Sequence, residues 1–219
     1  NTQKVPLIQE EVLEVGGEEG AFIIQTPRHT YKSKTVVIAT GTSPLQANIE
    51  GEEELAGTKL FYEVADLPED AKNANIILIG GGDAAFDYAI NLFERGHKPT
   101  IVTRGEASCL PILRVRAEEK GILYREYASP TSVQQIEDQV EVQLDDGALQ
   151  ADYVFVAVGR EPRYPRITVQ SRKGIHFAGD VHGNRFRQVH IAAGDALRVA
   201  MDISLSLLAS HDERRQRIR

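Results

Sequence analysis

The residues best suited to chemistry form one run, Gly80-Gly81-Gly82-Asp83-Ala84-Ala85, which fits the spacing G-x-G-x-x-A. Gly80 permits a sharp turn. Gly82 lets a pyrophosphate reach the backbone, and Ala85 lets a helix pack closely on the strand before it. Gly81, Asp83 and Ala84 complete the same backbone cradle. The helix that follows offers unpaired N–H groups and the positive end of its dipole to phosphate. Thr103-Arg104 stands about 20 residues further on, where the adenosine ribose of a dinucleotide is read. An arginine fork there suits a 2′-phosphate, which favours NADPH. Glu106 is close enough to keep NADH open. The plainer alternatives are a glycine turn that serves packing alone and a solvated strand-end charge at Arg104.

The flanking elements position this run. Ile76-Ile77-Leu78-Ile79 is a continuous apolar stretch, as in a parallel strand buried on both faces. Ala85, Ala89, Leu92 and Phe93 share one helical face. Gly96 stops the helix, Pro99 follows it, and Thr100–Thr103 is a second strand. A motif that is weak alone gains meaning between a strand and a helix.

Other candidates are less specific. Thr35 to Gly41 is an apolar, β-branched run ending in glycine, which reads as a fully buried strand, and Tyr153 to Gly159 echoes it. Gly41 and Gly159 thus stand at strand tips that could approach a ligand or merely turn the chain. Ile175–Ala178 is a short strand closed by Gly179-Asp180; the carboxylate could accept ligand hydroxyls or cap the turn. A helix from Gln188 to Leu208 follows, with Val189, Ala192, Ala193, Ala196, Ala200, Ile203 and Leu207 as its expected buried stripe. The basic tail, His211–Arg219, is expected to fray. Cys109–Glu119 reads as a helix with Pro111 in its first turn, and Arg114 and Arg116 as surface charges or phosphate contacts. Val5–Val15 and Ala21–Gln25 read as strands around a Gly16–Gly20 turn. Ser132–Gln150 reads as a hairpin that continues past Asp145-Asp146-Gly147, and Glu50–Glu54 as a solvated acidic patch.

The whole chain narrows the classes. Its 219 residues are 42% hydrophobic and 26% charged, ordinary for a soluble globular protein, and the net charge of −7 argues against a nucleic-acid or anionic-membrane binder. No apolar run reaches the length of a membrane span. Cys109 is the only cysteine, so no intrachain disulfide or C-x-x-C centre is possible; a reducing, cytoplasmic setting fits, with the thiol as apolar filler. The six histidines show no metal-ligand spacing, and no side chain presents itself as a catalytic acid, base or nucleophile.

Taken together, Thr35–Pro44 (TVVIATGTSP), Gly80–Ala85, Tyr153–Pro162 (YVFVAVGREP) and Gly174–Gln188 resemble, in this order, the flavin-dependent pyridine-nucleotide oxidoreductases. Thioredoxin reductases and thioredoxin-reductase-like ferredoxin–NADP⁺ reductases are the nearest pattern. The resemblance implies an α/β fold: a Rossmann-like NAD(P)H-binding domain (parallel sheet plus β-meander, residues 45–160) inserted in a partial FAD-binding Rossmann-like domain (residues 1–44 and 161–219). It implies that Gly80, Gly82, Asp83 and Ala85 line the pyrophosphate and that Arg104 meets the 2′-phosphate. Asp180, after Gly179, would bind FAD near its ribitol or pyrophosphate. Arg187-Gln188-Val189 would lie beside the flavin ring, with Gly41 and Gly159 near the cofactors at the domain crossing. FAD and NADP (or NAD) are the implied cofactors, and hydride transfer from nicotinamide to flavin N5 the implied chemistry.

Three departures stand out. No G-x-G-x-x-G precedes Val36, and the chain opens on Asn1, so it is expected to be an N-terminally incomplete piece. The C-x-x-C of true thioredoxin reductases is absent. Arg163–Gly174 is short for the return into the FAD domain. The electron acceptor (ferredoxin, a quinone or a small molecule) is unidentified, and a homodimer stays open. A non-catalytic nucleotide-binding module of the same ancestry is the competing reading.

Overall fold

The computed structural model describes residues 5–183 and 186–217, and their side chains through Leu208. In chain order the elements are β1 (Glu14–Glu18), β2 (Ala21–Gln25), β3 (Thr30–Ser33), β4 (Val36–Ile38), β5 (Thr42–Pro44), α1 (Glu52–Leu55), β6 (Leu60–Phe61), β7 (Asn75–Ile79), α2 (Asp83–Glu94), β8 (Lys98–Val102) and α3 (Pro111–Glu119). Then come β9 (Leu123–Arg125), β10 (Pro130–Ile136), β11 (Gln139–Leu144), β12 (Gly147–Ala151), β13 (Tyr153–Val156), β14 (Arg160–Pro162), β15 (Arg166–Ile167), β16 (Ile175–Phe177) and α4 (Val189–Arg217). The chain divides into two compact units, Pro44–Arg160 and the pair of segments Asn1–Ser43 and Glu161–Arg219.

The middle unit is built on a five-stranded sheet in the order β6-β13-β7-β8-β9, all of whose neighbours run parallel. Alternation along β7 explains the apolar run. Ile76 and Leu78 pack on one face with Ala85, Phe86, Ala89 and Leu92 of α2 and Ala117 of α3. Ile77 and Ile79 pack on the other with Val133, Val140, Val142, Leu144 and Ala151 of the antiparallel meander β10-β11-β12. Both faces being covered, the central strands need no polar side. Pro111 occupies the first turn of α3, where its missing N–H costs nothing.

Within this unit the structure departs from expectation at Phe93 and at Glu50–Glu54, and adds one strand that no sequence pattern announces. Phe86, not Phe93, is the aromatic anchor of α2: Phe93 lies in the last turn and is 39% exposed, its ring 5.8 Å from Lys120 Nζ. The two-residue β6, too short to show a period, is an edge strand of the sheet. Glu50–Glu54 is not merely a solvated patch. Glu52 is buried and accepts from Ala47 N (2.9 Å), Ile49 N (3.4 Å) and Tyr62 Oη (2.9 Å), pinning the loop before β6. Burial and this carboxylate push the Tyr62 phenol up to about 12.

The other unit holds the sheet β15-β1-β2-β3, the parallel pair β16-β4, and α4. Val5–Leu13 forms no strand, and Gly16 and Gly17 belong to β1, opposite Ile23 and Phe22, rather than to a turn. Gly17 explains itself: at φ +87° any Cβ would fall 2.5 Å from Ala21 O. The tight turn is Glu19-Gly20. β4 is not buried throughout; Ile38 is, but Val37 is 46% exposed, and β16 is its sole strand partner among the described residues. The expected stripe of α4 also fails. Val189, Ala193, Ala196, Ala200 and Leu207 are exposed, and the inward positions are Ala192, Asp195, Val199 and Ile203, with Val199 alone fully buried among the described side chains. The helix runs past Leu208 to Arg217; the side chains of the basic tail lie outside the described residues.

Candidate functional site

The three consecutive glycines serve three different needs. Gly80 leaves β7 at φ +150°, donates to Val102 O (2.9 Å), and presses against the next strand so closely that a Cβ would fall 2.4 Å from Ala157 O. At Gly81 a Cβ would strike Thr103 Oγ1 at 2.5 Å. Thr103, expected as a ligand contact, is therefore the buried floor under the turn. Gly82 is different: it is the N-cap of α2 in extended conformation, has no side-chain cap, and a Cβ there would meet nothing within 4 Å.

Gly82 O is occupied by the amides of Ala85 (3.1 Å) and Phe86 (3.4 Å), whereas the amides of Gly82, Asp83 and Ala84 have no acceptor among the described residues. Ala85 is fully buried under the turn and Ala84 is exposed. A bare row of donors at a helix start, with open space before it, is a place for an anion. The Asp83 carboxylate is turned to another task, accepting from Leu110 N at 2.7 Å. Ser108 N donates to Gly81 O at 2.8 Å, so the loop after β8 is fastened to the corner at two points.

Arg104 is exposed at the tip of β8 and makes no hydrogen bond or ion pair among the described residues; Glu106 is exposed beside it. Arg114 is not a free surface charge, because Nη2 donates to Ala107 O (2.7 Å) and lies 3.4 Å from Glu126 Oε1. Cys109 packs at the edge of the α2 core, and burial pushes its thiol up, so it is poorly nucleophilic. Gly159, at φ +136°, accepts from Leu45 N at 3.0 Å and is exposed.

A polar trio that sequence reading missed also belongs to this unit. Glu63 Oε1 is paired with Arg160, and Glu63 Oε2 accepts from Tyr88 Oη at 2.7 Å. Both donors hold the Glu63 carboxyl below its usual range despite partial burial, while burial and Glu63 push Tyr88 up to about 12. Glu63 and Arg160 are 97 residues apart, and no local pattern announces their pairing.

In the other unit, Gly41 has φ +66° and accepts from Arg163 N at 3.0 Å. Gly179 has φ +74° and opens a 3₁₀ turn, Gly179–His182, that contains the half-buried Asp180. The missed partner here is Asp195 of α4. Its Oδ2 accepts from Gly179 N (3.3 Å) and lies 3.9 Å from His182 Nε2, and its Oδ1 lies 3.3 Å from Arg198 Nη2. Arg187 is half-buried, and Gln188 and Val189 are exposed, Gln188 O accepting the first α4 amide bond from Ala192 N at 3.0 Å. Asn184 and Arg185, inside the Gly174–Gln188 block, lie outside the described residues. Among the described residues no group of three or more metal-ligating side chains occurs, and no helix is long and apolar enough to cross a membrane.

A parallel sheet whose central strand runs through a bare-amide glycine corner into a helix defines an α/β unit of Rossmann type. Residues 2–171 match the family described as pyridine nucleotide-disulphide oxidoreductase, and the chain belongs to that flavin-dependent oxidoreductase family. Ferredoxin–NADP reductase of Streptococcus pyogenes serotype M5 (strain Manfredo) is 35% identical over 103 residues, which are 46% of this chain and 31% of that protein. The match thus spans under a third of the length of such curated relatives. Among solved structures, the thioredoxin reductase of T. acidophilum superposes with a TM-score of 0.79 at 25% identity, over 90% of this chain and 74% of that one. The Lactococcus lactis thioredoxin reductase gives 0.76 at 23% identity, over 88% and 72%, a likeness of fold alone.

Proposed function

We propose that Pro44–Arg160 is the NADPH-binding unit of a flavin-dependent oxidoreductase and that the other unit contributes to FAD binding. The open row of amides at Gly82, Asp83 and Ala84 carries this reading, because it fits a pyrophosphate and no protein group among the described residues uses it. FAD and NADP(H) serve ferredoxin–NADP reductases and thioredoxin reductases, and when bound they supply the hydride transfer. The protein's part is positional. Gly82 and the α2 amides hold the diphosphate, Arg104 reads the 2′-phosphate, and Thr103 and Ala85 set the turn from below. Asp180 and the segment Arg187-Gln188-Val189 are assigned to the flavin, with Gly41 and Gly159 at the cofactor-facing strand tips. Onward transfer goes to an acceptor outside the chain and uses no dithiol within it, since Cys109 is its only cysteine. Ferredoxin is the candidate that the reductase relatives' name supplies.

Calorimetry with NADPH and NADH tests the assignment. Arg104→Ala should weaken NADPH by about 1–3 kcal/mol, the value of a lost charged hydrogen bond, and leave NADH nearly unchanged. Equal losses for both would remove Arg104 from the 2′-phosphate site.

A further inference from the structure

The sheet order places the trio Glu63, Tyr88 and Arg160 on one side of the glycine corner and Arg104 on the other. From β7 the chain proceeds to β8 and β9 on one flank, whereas β13, which follows them in the chain, and β6, which precedes β7, lie on the opposite flank, so strand order reverses between β7 and β13. A dinucleotide lies across such a reversal, one half on each flank. With Arg104 at the tip of β8 assigned to the adenosine half, the nicotinamide half falls over β13 and β6.

Register fixes how far along. Phe61 pairs with Phe155, and Phe155 with Leu78. The ladder continues through Ala157 N to Ile79 O at 2.8 Å. Glu63 follows Phe61, the last residue of β6, by two positions, and Gly80 follows Ile79, the last residue of β7, so both stand just past the C-terminal ends of strands that flank β13. The nicotinamide arm of a dinucleotide seated on the Gly80 corner runs over these same C-terminal strand ends.

The Glu63 carboxylate is well built for a role there. Arg160 takes one oxygen and Tyr88 Oη the other, so its direction is set, yet the side chain stays 38% exposed. We propose that Glu63, held by Tyr88 and Arg160, flanks the nicotinamide and favours the oxidised dinucleotide, whose ring is cationic, over the reduced one, whose ring is neutral. The inference rests on the dinucleotide assignment made above. It goes beyond that assignment by naming a residue that discriminates between redox states.

The experiment is anaerobic calorimetry on the full chain with NADP⁺ and with NADPH. Glu63→Gln should weaken NADP⁺ about tenfold while NADPH changes less than about twofold, because the removed charge acts alike on the phosphates of both forms and differs between them only at the ring. Tyr88→Phe, which keeps the carboxylate but frees one oxygen, should shift the same ratio less, by about two- to threefold. This second variant keeps the test decisive should Glu63→Gln not fold. Equal changes for both ligands, or none, in folded variants of a chain that binds both would overturn the role of Glu63 and leave the dinucleotide site standing. Binding of neither ligand by the unaltered chain would overturn both.

Discussion

Two regions of this molecule use the same device, a parallel strand that ends in a left-handed glycine and gives way to a helix, and they support it unequally. After β7 the turn at Gly80 is gripped from every side: Val102 O takes its amide, Ala157 O blocks any Cβ, and α2 is anchored by the fully buried Phe86 and Leu92. After β16 the turn at Gly179 leans on one long helix through Asp195 Oδ2 and Ala192, and that helix buries only Val199 completely among its described side chains. The middle unit's turn is enforced by a core on both faces of a sheet. The other unit's turn is held by a few polar and small contacts.

Substitution of the two glycines separates these cases. Gly80→Ala combines positive φ with a backbone overlap that no rotamer relieves, and should cost about 3 kcal/mol or more in urea unfolding followed by circular dichroism. Gly179→Ala has the same sign of φ, but its Cβ would sit 3.3 Å from Ala192 Cβ, which can yield; about 1–2 kcal/mol is expected. Costs of equal size would mean that the contrast in support is not real.

The smallest effect is a pH dependence confined to the middle unit. His97 is buried with Nδ1 accepting from Ala74 N at 3.3 Å; burial, and to a lesser degree Arg95, hold its imidazole below its usual value. A depressed histidine favours the neutral form in the fold. Its contribution is therefore whole above the unfolded value near 6.5 and is lost as pH falls from there through the folded value. The unfolding midpoint should drop on acidification from pH 7 to 5, and His97→Gln, which keeps an acceptor, should flatten that part of the slope. An unchanged slope in the variant would assign the loss to other groups.

The same contrast explains what could be read from the sequence. Where a core sits on both faces, composition writes the structure plainly: Ile76–Ile79, the glycine run, Ala85 and Ala89, and the meander after Pro130 all stand where their residue types suggest. Short edge elements escape, because the two residues of β6 carry no period. Small-residue stripes mislead, because Ala193, Ala196 and Ala200 on α4 fit a buried face and an exposed one alike. Gly16-Gly17 reads as a turn until pairing with Phe22 shows why β1 needs them. At the candidate site, the strand–turn–helix corner was legible from glycine spacing. The side-chain networks Glu63–Arg160–Tyr88, Asp195–Gly179 and Glu52–Tyr62 were not, since they join residues that only the fold brings together.

Dinucleotide binding at this corner depends on its open amides, and Gly82 tests them most directly, because a methyl group there meets no atom within 4 Å and should leave the fold alone. NADPH titrated calorimetrically into the full chain and into Gly82→Ala, with urea midpoints measured in parallel, gives the answer. The expected result is binding by the unaltered chain, weakened at least about tenfold in the variant at an unchanged midpoint, the loss of about one good hydrogen bond to a charged group. Equal affinities in two equally stable proteins would place the diphosphate elsewhere.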